Sequence, residues 1–261
     1  MAFLKSWRRK RRLERVTIDP ALWERVVSAY EFLSDLSQAE RERLHDLVVL
    51  FLGEKELHGA QGMRITDEIG VAIAAQACLP ILELGIDVYD GFVGVIVYPG
   101  QFQVQRTEVD EDGVLHEWGD ELSGEAMPGG PVVLSWEDVD VSGAGYNVVI
   151  HEFAHKIDML HGDADGYPAP HAGMDAGRWY RVLEENYERL CERLDAGEET
   201  PFDDYAAEHP AEFFAVMSEE FFTDPLLLRD ELPELYRELA LFYRQDPAAR
   251  VERVERAKAA G

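Results

Sequence analysis

The spacing of apolar positions divides the chain into a helical start, a strand-rich middle and a helical end. Asp19-Pro20 sets an N-cap before a proline at the first helical position and predicts a helix over residues 20–33. Ser37-Gln38-Ala39-Glu40 is a capping box that opens a second helix over 38–52, so the two read as an αα-hairpin. Thr66-Asp67-Glu68 caps a third helix. Its run over 69–79 is apolar on nearly every side and ends at Pro80, as a core helix would. Short β-rich runs follow at Ile86–Tyr89 and 93–98, separated by Asp90-Gly91, a hairpin signal. Residues 102–107 alternate apolar and polar, 115–118 form a further short candidate, and 131–136 is the last predicted strand. Asn147 then caps a helix over 148–160, residues 161–177 read as a long loop, and helices return near 178–194, 210–222 and 233–245. This order predicts an α+β fold.

Composition narrows the function classes. The 261 residues are 46% apolar and 30% charged, an ordinary globular profile with enough chain for a sizeable core. A formal net charge of -27 repels phosphate, so nucleic acid is not an expected partner of the main body. No apolar run reaches membrane-spanning length. Two cysteines, Cys78 and Cys191, make no disulfide framework and suit a reducing, cytoplasmic setting. Seven of the 25 Lys and Arg residues fall in 1–15, leaving 18 basic residues against 51 acidic ones beyond that segment. With no apolar stretch after it, this segment is no secretory signal. It reads as a flexible basic tail, or one lying on the acidic surface; a lipid anchor using Phe3, Leu4 and Trp7 is the other use of such a sequence.

The chemistry concentrates in His151-Glu152-Phe153-Ala154-His155. Positions i and i+4 of a helix share a face, so both imidazoles can reach one metal ion, and Glu152 can reach water activated by that ion. This is the metallopeptidase spacing, with the glutamate as general base. A solvated helix carrying two chance histidines would not be flanked by Val148, Val149, Ile150 and Ile157. A catalytic zinc takes a third protein ligand. His161 falls at the metzincin position, but Asp158 replaces the glycine that would turn the chain back. His171 lies in the predicted loop and His116 on a candidate strand. Glu212 stands in an apolar stretch, where a carboxylate is costly unless paired or metal-bound. Glu219 lies two turns further on that face and suits the orienting of a ligand; Glu208 and Glu220 read as solvated. Asp158 is either a partner for a ligand imidazole or a surface acid. Val132, Val133 and Leu134 lie on either an edge strand that pairs with an extended substrate or a core strand.

Several separated motifs resemble one family in order. They are the His151–His155 motif, then Tyr205-Ala206-Ala207-Glu208-His209-Pro210-Ala211-Glu212-Phe213-Phe214-Ala215, and Ser218-Glu219. Leu79-Pro80-Ile81-Leu82-Glu83-Leu84-Gly85, Asp90-Gly91-Phe92, Tyr98-Pro99 and Gly130-Pro131-Val132-Val133-Leu134 add to it. Together, over roughly residues 20 to 250, they resemble the Mlc titration factor A family of gluzincin-type zinc metallopeptidases. The resemblance implies a zincin-like catalytic domain with a small twisted sheet and an active-site helix. The order of elements places it at 63–261, after a helical hairpin subdomain over 16–62, and the basic tail at 1–15 departs from the family pattern. The resemblance implies one Zn²⁺ per chain on His151, His155 and Glu212, with Glu152 as general base and Tyr205 as the hydroxyl facing the transition state. It also implies aminopeptidase-like hydrolysis of a peptide substrate and a regulatory tie to an Mlc-like transcriptional repressor. From a different class comes the reading that the protein chiefly sequesters a repressor, with hydrolysis secondary. A closed structural zinc site is the third, with His116 as its fourth ligand.

Overall fold

Most of the predicted helices begin where a side chain can take a free amide; the one at Pro233, after Leu232, does not. In the computed structural model, which describes residues 2–109, 115–140 and 145–260 (side chains excepted at 2–4, 104–109, 115–121, 140 and 260), Asp19 caps α2 (Pro20–Ala29). Ser37 and Glu40 close a capping box on α4 (Gln38–Glu54), and Thr66 caps α5 (Asp67–Cys78). The first predicted helix is two pieces, because Tyr30 adopts extended dihedrals before the short α3 (Glu31–Ser34). The predicted tail is instead helical: α1 (Ala2–Leu13) lies against α4. Its inward cations meet body acids, Arg9 on Glu54 at 2.7 Å and on Asp87 at 2.6 Å, and Lys5 on Asp87 and Asp90. Charge opposition between segment and body thus places this helix, as in the surface-lying form of the expectation.

The main sheet has the order β1-β2-β6-β5. β1 (Glu56–Gly59), β2 (Gly94–Tyr98) and β6 (Val132–Ser135) run parallel, and β5 (Gly124–Ala126) pairs antiparallel with β6 at the sheet's edge. β3 (Phe102–Val109) and β4 (Leu115–Leu122) form a separate hairpin. Two expectations change here. Ile86–Tyr89 is a 3-10 helix and not a strand: Gly85, at φ +87°, turns the chain, and Tyr89 is buried with its hydroxyl on Ala77 O at 2.7 Å. Val132, Val133 and Leu134 lie on a central strand and are buried, so they are not the substrate edge. A strand covered on both faces carries a continuous apolar run, which is what these residues show.

The motif helix α7 (Val148–Asp158) sits at the centre of the molecule. Its side chains are buried nearly all round, against α9 (Pro210–Thr223), α5, β5 and β6. Phe153 anchors it among the rings of Phe51, Tyr89 and Phe92, at centroid distances of 5.6, 5.1 and 5.8 Å. After a short helix α6 (Trp136–Asp140) and the motif helix come α8 (Ala176–Asp195), α10 (Pro225–Glu231), α11 (Pro233–Tyr243) and α12 (Pro247–Ala260). One apolar cluster runs from Ile18 to Ala248, and β1 pairs with β2 across residue 62. The N-terminal hairpin therefore shares its core and its sheet with the rest and is not a separate unit among the described residues. No helix among them is long and apolar enough to cross a membrane.

Candidate metal centre

Asn147 starts the site as well as the helix. Its side-chain oxygen takes Ile150 N at 2.8 Å, which fixes the first turn of α7 and hence the direction of His151. Its amide donates to Gln76 Oε1 of α5 at 2.7 Å, and its backbone N–H donates to Glu219 Oε2. The other Glu219 oxygen lies 2.7 Å from His151 Nδ1. That contact fixes the ring and turns Nε2 toward the cleft. His155 follows one turn later on the same face.

The third donor comes from α9. His209 caps that helix through its own ring, Pro210 occupies the first turn, and Glu212 follows on the turn that faces α7. Glu212 Oε2 lies 3.0 Å from His151 Nε2 and 3.2 Å from His155 Nε2, and the two ring nitrogens are 3.1 Å apart. Tetrahedral zinc with bonds of about 2.0–2.1 Å separates its donors by roughly 3.3 Å. Two imidazole nitrogens and a carboxylate oxygen at this spacing therefore fit a single divalent ion. Among the described residues this is the one such group of His, Cys, Asp and Glu, and no fourth side chain joins it. Burial pushes the Glu212 carboxyl up, but the two imidazoles outweigh it and hold Glu212 well below the usual carboxylate range. Burial lowers His151, and Glu219 and Glu212 reverse that, leaving it well above an ordinary histidine.

Glu152 is buried beside this cluster and outside it. Burial pushes its carboxyl up to about 7, against the pull of His151 and His155. One oxygen, Oε2, has no hydrogen-bond partner among the described residues. Edge strand β5 lies directly on it: a Cβ at Gly124 would come within 2.4 Å of Glu152 Oε1. Only glycine allows that approach. Gly124→Ala is therefore expected to displace Glu152 or the strand with metal content kept, and any catalysis that depends on Glu152 should fall by roughly 10²-fold, the cost of about 1 Å of misplacement. Parent-like kcat/KM in that variant would contradict this contact.

A cleft of about 360 Å³ opens over His151 and Glu152. Leu122, Ser123 and Gly124 form one wall, Tyr146 and Tyr205 stand at others, and Val148 and Val216 supply apolar surface. Tyr205 sits on a 3-10 turn, Asp204–Ala207, capped by Asp203, with its ring centroid 6.1 Å from that of His151. It is 41% exposed and lines the cleft.

Other expected residues fall elsewhere. Asp158 is buried but accepts Gly166 N at 2.7 Å, so it ties down the loop after α7, and no hydrogen bond joins it to His155. His161 is exposed at the end of a 3-10 turn, and His171 contacts Leu241 O at 3.0 Å, away from the cluster. The His116 side chain lies outside the described residues. Glu208 is exposed as expected, whereas Glu220 is buried, because α9 is covered on that side too. Burial pushes the Glu220 carboxyl from 4.5 up to about 7, with Asp224 and Glu219 adding to it. A carboxyl raised in the fold binds its proton more tightly there than in the unfolded chain. Its stabilising contribution is full below about pH 4.5 and is lost as pH rises toward 7. Glu220→Gln is thus expected to raise stability at pH 8, by up to about 3 kcal/mol, and to flatten the decline between pH 5 and 8. Denaturant titrations at the two pH values check this; an unchanged slope would contradict it.

Three donors spaced for one divalent ion, beside a buried carboxylate and an open cleft, make a candidate metal centre. The model of the glucose-regulated metallo-peptidase M90 family matches residues 4–244. The chain belongs to the M90 metallopeptidase family. Mlc titration factor A of Serratia proteamaculans is 39% identical over 240 residues, covering 90% of this chain and 91% of the relative. The proteins of that name from Pectobacterium atrosepticum and Klebsiella pneumoniae are each 40% identical, over 88% and 87% of this chain and the same shares of their own lengths. In this M90 chain the features that sequence reasoning missed are β5, Tyr146, Gln76 and Lys156. Of these, Lys156 carried a signal, a lone cation amid the apolar positions of α7.

Proposed function

We propose that this protein is a zinc-dependent, aminopeptidase-like enzyme that hydrolyses peptides. The observation that carries the reading is the convergence of His151, His155 and Glu212 at 3.0–3.2 Å, with Glu152 buried alongside in an open cleft. His151, His155 and Glu212 would hold one Zn²⁺, whose Lewis acidity makes water a nucleophile near neutral pH. Glu152 takes the proton from the attacking water and passes it to the leaving amine. Tyr205 donates its hydroxyl to the oxygen on which charge develops. Glu219 holds His151 in its tautomer through Nδ1. Edge strand β5, in place of residues 132–134, offers backbone groups to an extended peptide next to Glu152. Product analysis with a defined unblocked peptide tests the reading: the amino-terminal residue is released, and chelator stops the release. Cleavage only at internal bonds would remove the aminopeptidase part, and chelator-resistant cleavage would remove the zinc.

A second role is favoured by the name of the relatives, each a titration factor for Mlc. The protein also binds an Mlc-like transcriptional repressor in this reading, acting in the cytoplasm. Size-exclusion chromatography with a purified repressor of that type separates the two roles, since binding need not depend on Glu152.

A further inference from the structure

Lys156 is a cation buried in the centre of the fold, one turn beyond Glu152 on α7. Burying an ammonium is costly, and an apolar side chain would fill the space without that cost. Its use is therefore in what it holds. The ammonium donates to Met127 O and, at 2.9 Å, to Gly130 O, and lies 5.1 Å from the Phe92 ring centroid. Met127 to Gly130 is the turn that joins edge strand β5 to central strand β6. The turn is tight: Gly129 has φ +63°, and Gly130 N donates to Met127 O at 3.0 Å.

β5 has three residues and pairs only with β6 in the sheet. So short an edge strand is a weak element by itself. It is fastened at both ends to one face of α7, with Gly124 against Glu152 and the turn on Lys156. The helix that carries the base thus also carries the strand's anchor.

We propose that Lys156 is a positioning residue for substrate, whose ammonium fixes β5 at the register in which an extended peptide pairs beside Glu152. This rests on the peptidase reading above. A substrate with backbone beyond the scissile amide uses β5, whereas an aminoacyl arylamide has none to offer. The zinc-loaded full chain is assayed with an unblocked pentapeptide and with an alanyl arylamide, as parent, Lys156→Met and Lys156→Arg. Lys156→Met is expected to raise KM for the pentapeptide by about tenfold, the scale of a lost charge-assisted bond, with a far smaller change in kcat and in arylamide cleavage. Lys156→Arg, which keeps a cationic donor, recovers part of the difference. Equal losses on both substrates, or an unchanged KM, would overturn the proposal.

Amide exchange gives a readout independent of turnover. In Lys156→Met, or in Lys156→Gln should the first not fold, exchange at residues 124–130 quickens while that of α7 stays slow. Uniform quickening, or none, would overturn the tether. If the parent cleaves neither substrate, the peptidase reading fails, and exchange alone decides whether Lys156 fixes β5.

Discussion

Glu152→Gln is expected to keep zinc and to lose peptide hydrolysis by roughly 10²-fold or more, the usual scale for a general acid–base group. The expectation rests on where Glu152 stands. It neighbours His151 in sequence but takes no part in the group of three donors, so its loss removes no metal ligand. Its carboxyl is buried under Gly124 and opens on the same cleft as His151. Glutamine fills the same space, which preserves that packing, but it accepts no proton. Metal content measured by atomic absorption beside kcat on one peptide checks both halves. A folded variant without zinc would make Glu152 a ligand, and a fully active one would remove it from the chemistry.

Glu212→Gln is expected to lower both zinc affinity and activity, and to leave the fold standing. Glu212 supplies the anionic oxygen among the three donors, and the two imidazoles hold it ionised. Replacing it leaves a dication facing two neutral rings and a weakly coordinating amide. The affinity loss should exceed the ~10–100-fold typical of groups that only orient a ligand. Glu219→Gln belongs to that milder class, because Glu219 touches His151 Nδ1 and not the metal-facing nitrogens. Glu208→Gln, at an exposed position, should bind zinc like the parent. The core surrounding α7 and α9 runs through the whole chain, so thermal unfolding of the metal-free Glu212→Gln variant should stay cooperative. Competition titration with a zinc-chelating dye ranks the three variants. Parent-like affinity in Glu212→Gln, with loss in Glu219→Gln, would exchange their roles.

Much of this site was legible along the chain because it is built on helices. The His151–His155 spacing, the Asn147 cap and the seven-residue step from Glu212 to Glu219 are local patterns, and helical geometry converts each into a shared face. What was hidden depends on pairing between distant segments. Nothing in Gly124-Glu125-Ala126 announces an edge strand; it becomes one because β6 accepts it from the side opposite β2. The run Val132-Val133-Leu134 did carry the mark of a central strand, in its lack of alternation. Glu220 was misplaced because its burial is set by elements packed over α9 and not by its neighbours in sequence. The basic first segment was harder still. Its composition suits a mobile tail, and only the positions of Glu54, Asp87 and Asp90 on the folded surface give Lys5 and Arg9 somewhere to dock.

One titration tests the central claim most directly. Protein stripped with chelator is supplied with zinc in steps, and peptide hydrolysis is followed at each. A single ion on His151, His155 and Glu212 predicts that activity rises linearly and breaks sharply at one equivalent, and that Glu212→Gln shows no such break. Hydrolysis that ignores zinc, or a break at any other stoichiometry, would contradict the account.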